Sequence, residues 1–515
     1  MSMYQSYYGC VARFCLLAGA VLLPAVSGTV SASAAQAQVA PQPVAKPTSS
    51  DPDFVETTVT PAQQPADGAQ ASSSGPLGFL STASRSSTLL GDMWGVRPWL
   101  SKYGWSLSVQ EQSEIMGNLT GGSKKGSVYE GLTTATLQMD TQRAFGMPGG
   151  LFNVSGLNVH GGNLSVQNLQ SLQTASGIEA DHATRLWELW YQQKFLDDKL
   201  DIKIGQQSLD QEFMVSQNSN YFVNTMMGWP MLPSADMPGG GPAYPLSALG
   251  IRARYRVTDA VTVLAGVFNG APNPHSSAAD AQRDNPYGTR FPLNGGALAI
   301  AEIQYMDPSP NSVVEAGEAE PLARTYKLGI WYDTANFNDL RYDNTGLSLA
   351  NPASTGVAAV HHGNFAIYGV ADQMVWRDAK DPDHNVNIFV RPMFSPLQDR
   401  NLVSFSLNGG VTVHEPFFGR DDDTFGLGMG WTRLSKSARG FDGDTAAFNA
   451  GTFSPVRKNE TFIEATYQYA AFPWMQIQPD IQYVFNPGGG VVNPNNSNQP
   501  IKNELVVGVR TNIQF

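Results

Sequence analysis

The chain has 515 residues, of which 42% are apolar and only 15% are charged, and its formal net charge is −12. Soluble domains usually carry about a quarter charged residues, so this chain is low in charge. The acidic balance argues against nucleic acid as a partner, and no apolar run reaches the roughly 20 residues of a membrane-spanning helix. Frequent aromatic residues without such a helix favour a β-barrel in an outer membrane.

The first 35 residues have the pattern of a cleaved secretory signal peptide. Arg13 precedes an apolar core at 14–26, and small residues follow this core. A short membrane anchor is the alternative, but the apolar core is too short for one. We therefore expect export across the inner membrane of a Gram-negative-type cell and residence in its outer membrane.

The segment that follows the signal peptide is polar and has low complexity. Residues 36–88 are rich in Ala, Gln, Pro and Ser, so they are predicted to form a disordered linker ahead of one barrel domain at 89–515. Cys10 and Cys15 both lie in the signal peptide. We therefore expect a mature chain with neither disulfides nor thiol chemistry.

From Trp105 to the end of the chain, segments of alternating polar and apolar residues recur at the length that a tilted bilayer strand requires. We predict about sixteen strands, preceded by a short helix after Asp92 that plugs or braces one end of the barrel. The predicted strands are residues 105–116, 129–141, 151–161, 184–195, 200–207, 246–256, 261–269, 296–305, 323–334, 364–376, 386–395, 402–414, 424–435, 459–470, 475–485 and 501–515.

The connections between these strands are alternately short and long, as in bacterial barrels. The short ones are residues 196–199, 257–260 and 471–474, and the long ones include 208–245, 270–295, 335–363, 436–458 and 486–500. Two connections break this rhythm: 306–322 is long where a turn is expected, and 396–401 is short where a loop is expected. We therefore expect one strand to be misplaced there.

The predicted hairpin at 184–207 shows the alternation well. Its first strand has Trp187, Leu189, Tyr191 and Phe195 on one face, whereas Glu188, Trp190, Gln192 and Lys194 lie on the other. We interpret the first face as facing lipid and the second as facing the lumen. A water-soluble β-sandwich would also alternate, so this hairpin alone does not decide between the two folds.

The last predicted strand alternates as well and ends on an aromatic residue. Leu505, Val507, Val509 and Ile513 share a face with the terminal Phe515, and polar residues share the other. This ending is typical of outer-membrane barrels, and we expect the barrel-assembly machinery to recognise Phe515. Outer-membrane lipid is the second expected partner.

Several of these segments resemble the OprB-type carbohydrate-selective porins. They are WELWYQQ at 187–193, IKIGQQSLDQEF at 202–213, YPLSALGIRARYRV at 244–257, and the ending at Phe515. The resemblance covers about residues 89–515. It implies an all-β, sixteen-stranded transmembrane barrel that passes small sugars of the glucose type. It also implies no cofactor and no catalytic activity, and it leaves monomer and trimer both open.

A row of arginines is the main candidate for the sugar path. Arg252, Arg254 and Arg256 share one face of the predicted strand at 246–256, and this face must point inward because an arginine in lipid is costly. Guanidinium donors suit vicinal sugar hydroxyls. The alternative is that these arginines pair with lumenal acids and only hold the wall together.

Further candidates lie on the neighbouring hairpin and just after it. Acceptors and donors for sugar hydroxyls, and one aromatic face for stacking on a pyranose, are supplied by Glu188, Trp190, Lys203, Gln206, Asp210 and Glu212. For Asp210 and Glu212 the alternative is loop anchoring, and for Trp190 it is packing against the loop at 208–245. Asp421, Asp422 and Asp423 fall in a predicted turn, where we expect them to be solvated rather than to bind calcium.

Two other functions remain open. A general or anion-preferring porin would also have an arginine-lined wall. A secreted all-β carbohydrate-active enzyme would need two carboxylates across a cleft, about 5–10 Å apart, and no local pattern pairs them. We predict a passive sugar porin without a metal site rather than an enzyme.

Overall fold

The computed structural model describes residues 87–275, 280–309, 321–417 and 419–515. The predicted signal peptide lies outside these ranges, as does the predicted linker apart from its last two residues. Within the described residues, sixteen antiparallel strands close into a barrel in which sequence neighbours pair and the last strand pairs with the first. The predicted fold class is therefore confirmed.

The strands lie close to the predicted segments. They are β1 (Trp105–Thr120), β2 (Gly126–Asp140), β3 (Gly150–Gly161), β4 (Ala183–Phe195), β5 (Leu200–Gln207), β6 (Ala248–Arg256), β7 (Val261–Asn269), β8 (Ala297–Asp307), β9 (Arg324–Asp343), β10 (Ala358–Arg377), β11 (Asn385–Phe394), β12 (Val403–His414), β13 (Thr424–Leu434), β14 (Asn459–Phe472), β15 (Met475–Phe485), the two-stranded β16 (Val492–Asn493) and β17 (Asn496–Pro500), and the closing β18 (Glu504–Gln514).

Short helices lie in the connections and before the barrel. The α-helices are α1 (Val96–Lys102), α2 (Thr141–Phe145), α3 (Leu164–Gln167), α4 (Thr225–Gly228), α5 (Met231–Asp236), α6 (Ala281–Asp284) and α7 (Lys436–Phe448). Single 3₁₀ turns occur at Leu209–Gln211, Asn218–Tyr221, Pro238–Gly240 and Pro487–Gly489. No helix among the described residues is both long and apolar enough to cross a membrane.

The outer face of the barrel is apolar and the inner face is mixed. Ile251 and Leu328 point outward with 47% and 64% of their surface exposed, whereas their inward neighbours are polar or packed against interior loops. Because a β-strand alternates its side chains between two faces, this distribution follows directly from the sequence alternation. The exposed apolar belt is the surface that a membrane barrel presents to lipid.

The connections alternate between the two ends of the barrel throughout, although their lengths do not always alternate between short and long. Every connection from an even-numbered to an odd-numbered strand up to β15 lies at one end of the barrel, including the long one after β8. This end also carries α1 and Phe515, and we call it the turn end. The short connection at 395–402 lies at the opposite, loop end. The expectation of a misplaced strand is therefore wrong. The predicted loop at 335–363 is also too long, because β9 and β10 extend their pairing into it and leave only 344–357.

The predicted brace at the chain end is present. Helix α1 packs on β1, and the Arg97 guanidinium donates to the carbonyl oxygen of Phe515. The Leu89 amide donates to the Gln514 carbonyl oxygen at 2.7 Å, and the Phe515 amide donates to the Val109 carbonyl oxygen at 2.9 Å. The start and the end of the barrel domain are thus joined at the turn end.

The interior is occupied by the connection between β5 and β6, residues 208–247, which we call the inserted loop. Its Phe222, Met227 and Trp229 are almost completely buried and belong to one apolar cluster with wall residues such as Phe389. Burying such large side chains contributes about 1.5–3 kcal/mol each. The inserted loop is therefore a packed part of the barrel that narrows the lumen.

One lipid-facing assignment is wrong. Trp187 points inward, has 4% of its surface exposed, and makes an edge contact with Tyr244 of the inserted loop at 6.2 Å between ring centroids. The pairing of β3 with β4 shifts register here: Ser155 pairs with Glu188, but Gly156 pairs with Leu186. An unpaired extra residue in a strand reverses the alternation on one side of the bulge.

Candidate functional site

A cluster of opposite charges lies on the inner wall of β5 and β6. Arg252 ion-pairs with Asp201 and with Glu212, whose Oε2 lies 2.5 Å from the Arg252 Nε atom. Arg254 lies 3.4 Å from Glu212 and 3.8 Å from Asp201, and the Lys203 ammonium also contacts Glu212. Three cations thus share two carboxylates, which leaves a formal charge of +1.

Strand pairing and the first turn of the inserted loop build this cluster. Lys203 lies opposite Arg252, and Asp201 lies opposite Arg254, in the register of β5 and β6. Glu212 follows the 3₁₀ turn that starts the inserted loop, and it reaches back to the wall. The Arg252 side chain is 0% exposed and that of Arg254 is 14% exposed. Two of the three predicted arginines therefore hold the start of the inserted loop.

Trp190 belongs to the same part of the wall. The Lys203 ammonium lies 4.2 Å from the centroid of the Trp190 ring, within the range of a cation–π contact. The Trp190 side chain is buried. One face of this ring therefore already contacts a cation, which links the aromatic candidate to the charged cluster.

Three other predicted residues contact the inserted loop or the neighbouring connection. Glu188 accepts a 3.0 Å hydrogen bond from the Ser208 amide, and Asp210 accepts from the Ser208 hydroxyl at 2.6 Å and from the Tyr244 amide at 3.1 Å. Gln206 donates to main-chain carbonyls within β4 and in the connection after β7, at 2.9 and 3.1 Å. Glu188 and Asp210 thus fix the two ends of the inserted loop, whereas Gln206 joins β5 to β4 and to the connection after β7.

Arg256 lies apart from this cluster. It is the last residue of β6, at the turn end of the barrel, and its side chain is half-buried. Its amide donates to the Lys199 carbonyl oxygen at 2.8 Å, across the strand pair. The three predicted arginines therefore form a row along one strand, in which Arg252 is buried and Arg254 and Arg256 are partly exposed.

The far side of the inserted loop is held by an arginine that the sequence analysis did not select. Arg391 on β11 is buried and donates to the main-chain carbonyl oxygens of Met214, Met226 and Gly228 at 3.1, 2.8 and 3.0 Å. Two of these carbonyls belong to α4, whose C-terminal carbonyls have no partner within the helix. A cation near these carbonyl dipoles is favourable.

Carboxylates on the wall bind main-chain amides of the same loop. Each carboxylate accepts a hydrogen bond from a main-chain N–H group of the inserted loop that points toward the wall. Hydrogen bonds to a charged acceptor are roughly twice as strong as those between neutral groups. The pairs are Glu302 with the Met214 amide at 3.0 Å, Asp372 with the Asn218 amide at 3.2 Å, and Glu464 with the Asn224 amide at 3.3 Å.

A second interior segment, the connection between β3 and β4, is held in the same way. Glu460 on β14 accepts from the Leu172 and Gln173 amides at 2.8 and 2.7 Å, and Glu504 on β18 accepts from the Gln170 amide at 3.2 Å. The wall carboxylates thus hold two segments that together narrow the lumen.

The three consecutive aspartates at 421–423 were predicted to be solvated, and the structure agrees for two of them. Asp421 and Asp422 are exposed, but Asp423 is buried, with Arg420 at 2.8 Å and the Tyr467 hydroxyl at 2.6 Å. The prediction that all three are solvated is therefore wrong for Asp423, which a neighbouring strand covers. Among the described residues, no group of three or more His, Cys, Asp or Glu side chains could hold a metal ion.

Comparison with known proteins shows which kind of closed barrel this is. The profile of the family described as "Carbohydrate-selective porin, OprB family" matches residues 124–515. The chain belongs to the OprB family. The resemblance seen in the sequence is therefore confirmed, and the porin is placed in the outer membrane by its family and its fold.

Individual OprB relatives are distant in sequence. Porin B of Pseudomonas aeruginosa is 24% identical over 464 residues, which cover 83% of this chain and 91% of that protein. The putative porin QuiX of Acinetobacter baylyi is 21% identical over 422 residues, covering 78% and 89%. The high-pH structure of Pseudomonas putida OprB superposes with a TM-score of 0.73 at 22% identity, covering 84% of this chain and all of that one. The structural likeness shows the shared fold.

The alternation of inward and outward positions along each strand could have identified the residues that the sequence analysis missed in this OprB-family porin. Asp201 was placed on the polar face of its strand but not among the candidates, although it lies opposite Arg254. Arg391, Glu460 and Glu464 are charged residues on inward-facing positions of predicted strands. A charged side chain on the inner face of a barrel strand needs a partner in the lumen, so each marks a contact with an inserted segment.

Proposed function

We propose that this OprB-family porin passes glucose-type sugars passively across the outer membrane, through a lumen whose width the inserted loop sets. The observation that supports this most strongly is the set of hydrogen bonds from Arg391 to four carbonyl oxygens of the inserted loop, that of Met227 included. A loop fixed at this many points keeps one pore shape. A fixed, polar and narrow pore favours solutes that replace their water of hydration with wall contacts.

Within this pore, we assign different roles to the three arginines. Arg252 is fully buried, so it positions Glu212 and with it the start of the inserted loop. Arg254 keeps 14% of its side chain exposed and Arg256 is half-buried, so these two offer guanidinium donors to sugar hydroxyls. Planar guanidinium groups present several donors in a fixed geometry that matches neighbouring hydroxyls.

The other candidates hold the inserted loop and the wall beside the sugar path in place. Glu188 and Asp210 hold the ends of the inserted loop, and Gln206 joins β5 to β4 and to the connection after β7. Lys203 and Trp190 form a contact that covers the wall beside Arg252. Sugar binding in such a path must be weak, because a solute that binds too tightly does not leave. The concentration gradient supplies the driving force, and no chemical step is needed.

The double variant Arg254→Ala with Arg256→Ala tests this role. We expect glucose uptake into proteoliposomes to fall several-fold more than glycerol uptake, because glycerol exchanges fewer water hydrogen bonds. Arg324→Ala is the matched control, since this arginine pairs with Asp307 at the turn end outside the pore. It should leave both fluxes unchanged.

The same double variant separates the sugar porin from the alternatives. A proportional fall of the glucose and glycerol fluxes would indicate a general porin. A change confined to chloride-over-potassium preference in planar bilayers would indicate an anion-preferring porin, which the formal charge of +1 on the cluster also allows. Either result would contradict a sugar role for Arg254 and Arg256.

We further propose a channel without enzymatic activity, with small sugars, outer-membrane lipid and the assembly machinery as its partners. The apolar exterior supports a membrane location over a secreted enzyme, and the named relatives are porins. Phe515 lies at the turn end, on the closing strand, where the machinery would recognise it. Sedimentation in detergent would distinguish monomer from trimer.

A further inference from the structure

A groove opens on the outer face of the barrel at its loop end, across β11, β12 and β13. It has a volume of about 290 Å³, and its walls are Phe394, Phe405 and Trp431, with Arg433 and Lys436 toward the loops. The groove lies on the lipid side of the barrel and has no part in the pore. Its lining combines apolar and cationic side chains, which is unusual for a surface that faces hydrocarbon.

Strand register places these side chains in one row. Phe394 pairs with Phe405, and Phe405 pairs with Arg433, so the three lie at the same height on neighbouring strands. Phe394 is 40% exposed, whereas its chain neighbour Met393 is 2% exposed and points into the barrel. Trp431 lies one step deeper, with its ring centroid 5.6 Å from that of Phe405. The aromatic wall therefore continues from the rim toward the bilayer interior.

The two cations above this wall have no carboxylate partner among the residues that the structure describes. Several other arginines that are exposed or half-buried do pair with a carboxylate: Arg324 with Asp307, Arg420 with Asp423, and Arg341 with Asp444. Arg433 and Lys436 are both exposed, at the end of β13 and the start of α7. The Lys436 main-chain amide donates a 3.0 Å hydrogen bond to the side-chain oxygen of Gln398. This hydrogen bond joins α7 to the connection after β11.

We propose that this groove binds a phosphorylated glycolipid of the outer leaflet. Its phosphate lies between Arg433 and Lys436, and the first part of an acyl chain lies along Phe394, Phe405 and Trp431. The long loops of such barrels face the cell exterior, so the groove opens at the level of the outer-leaflet headgroups. Two cations without carboxylate partners complement an anionic headgroup, and aromatic side chains settle at the same interface.

A lipid fits this groove better than a soluble anion because both parts of the lining are then used. A free phosphate would contact only the two cations, in water, where such contacts are weak. An acyl chain alone would leave the cations without a counterion. The glycolipid satisfies both at once, and its headgroup fixes the position of the chain. The proposal does not depend on which solute the pore passes.

The test is titration of the whole detergent-solubilised porin with diphosphoryl lipid A, followed by native mass spectrometry. The variant Arg433→Gln with Lys436→Gln should bind on the order of 30-fold more weakly, from roughly fivefold per cation near an anionic headgroup. Lys124→Gln with Lys125→Gln is the matched control. It removes two exposed cations from the same end of the barrel, at the β1–β2 connection, and should keep the affinity of the unaltered porin.

Two further arms identify the ligand and guard against misfolding. Lipid A without its phosphates should bind the unaltered porin as weakly as diphosphoryl lipid A binds the double variant. Millimolar inorganic phosphate should not displace the lipid. Equal weakening in the control pair, equal binding of dephosphorylated lipid, or displacement by inorganic phosphate would each overturn the proposal. Heat-modifiable mobility confirms that every variant measured is a folded barrel.

Discussion

The Arg391 guanidinium on β11 donates a 2.8 Å hydrogen bond to the Met226 carbonyl oxygen inside the barrel. The same group reaches the Met214 and Gly228 carbonyl oxygens, so one wall side chain joins two separate parts of the inserted loop. This arrangement differs from an ion pair, because the charge is shared among main-chain dipoles. The position of the loop therefore depends on its contacts with the wall, and Arg391 supplies several of them.

Arg391→Met should release the inserted loop from the wall. Each buried carbonyl left without a donor costs about 1–3 kcal/mol, and methionine fills a similar volume without replacing the hydrogen bonds. We expect a larger single-channel conductance in planar bilayers and a smaller glucose-to-glycerol flux ratio. Arg324→Met, which alters an exposed pair at the turn end, is the control. Unchanged conductance in the Arg391 variant would contradict the anchoring role.

Ile251→Lys should destabilise the barrel, because this side chain is 47% exposed on the lipid face. A lysine costs about 2–4 kcal/mol at the bilayer midplane and less near the interfaces. The measurement is the free energy of unfolding in lipid vesicles by denaturant titration. Ile251→Leu at the same position should cost little. A small effect of lysine would show that this face does not contact lipid.

Low pH should loosen helix α7 from the barrel. Arg341 donates to both oxygens of the Asp444 carboxylate at 2.8 and 2.9 Å. These hydrogen bonds hold the pKa of the Asp444 carboxyl below its usual range, and partial burial opposes them less strongly. A depressed folded-state pKa stabilises the contact above the unfolded value of about 3.9, and this stabilisation is lost as the pH falls through the folded value.

A spin label on Ala447→Cys would measure this loosening, since both natural cysteines lie in the predicted signal peptide. We expect label mobility to rise only below about pH 4, where the carboxyl becomes protonated. In the Asp444→Asn background mobility should already be high at pH 7. Mobility that changes near pH 6 would point to a different titrating group and contradict the role of Asp444.

Deletion of Phe515 should lower the yield of assembled barrel. It removes the amide that donates to the Val109 carbonyl oxygen and the carbonyl that accepts from Arg97, along with the terminal aromatic ring. The measurement is the heat-modifiable fraction in outer membranes. Phe515→Tyr keeps all of these groups and should assemble normally. Arg97→Ala keeps the terminal ring but removes the tie to Phe515 together with the Arg97 hydrogen bonds to Thr88, Gly91 and Leu107, so a loss as large as that of the deletion would assign the effect to the brace.

Most of the barrel could be predicted because the alternation of side chains is a local property of each strand. The closing strand illustrates this: Val509 is exposed and Arg510 is buried, as the pattern of polar and apolar residues indicates. Trp187 could not be assigned in this way, because a β-bulge depends on the pairing of two strands and leaves no mark in the sequence of one. Strand length at β9 and β10 failed for the same reason.

The candidate site was predictable only in part. The alternation of side chains along the strand placed Arg252 and Arg254 on the inner wall. Pairing with acids was one of the two roles left open for them, and sugar binding was the other. Their contact with Asp201 follows from strand register, but their contact with Glu212 depends on how the inserted loop folds back. The fold of the loop is set by contacts far apart in the chain, such as Met214 with Arg391. Such contacts follow from the packed interior and not from any periodicity.

Redesign of this pore therefore requires changes to wall and loop together. A loop grafted from another barrel would bring different amide and carbonyl positions, while Glu464, Asp372 and Arg391 would stay on strands that the graft does not touch. Their charged groups would then lie in the lumen without partners and would destabilise the new loop. Variation that alters solute preference in nature is expected to change these inward strand positions in the same step as the loop.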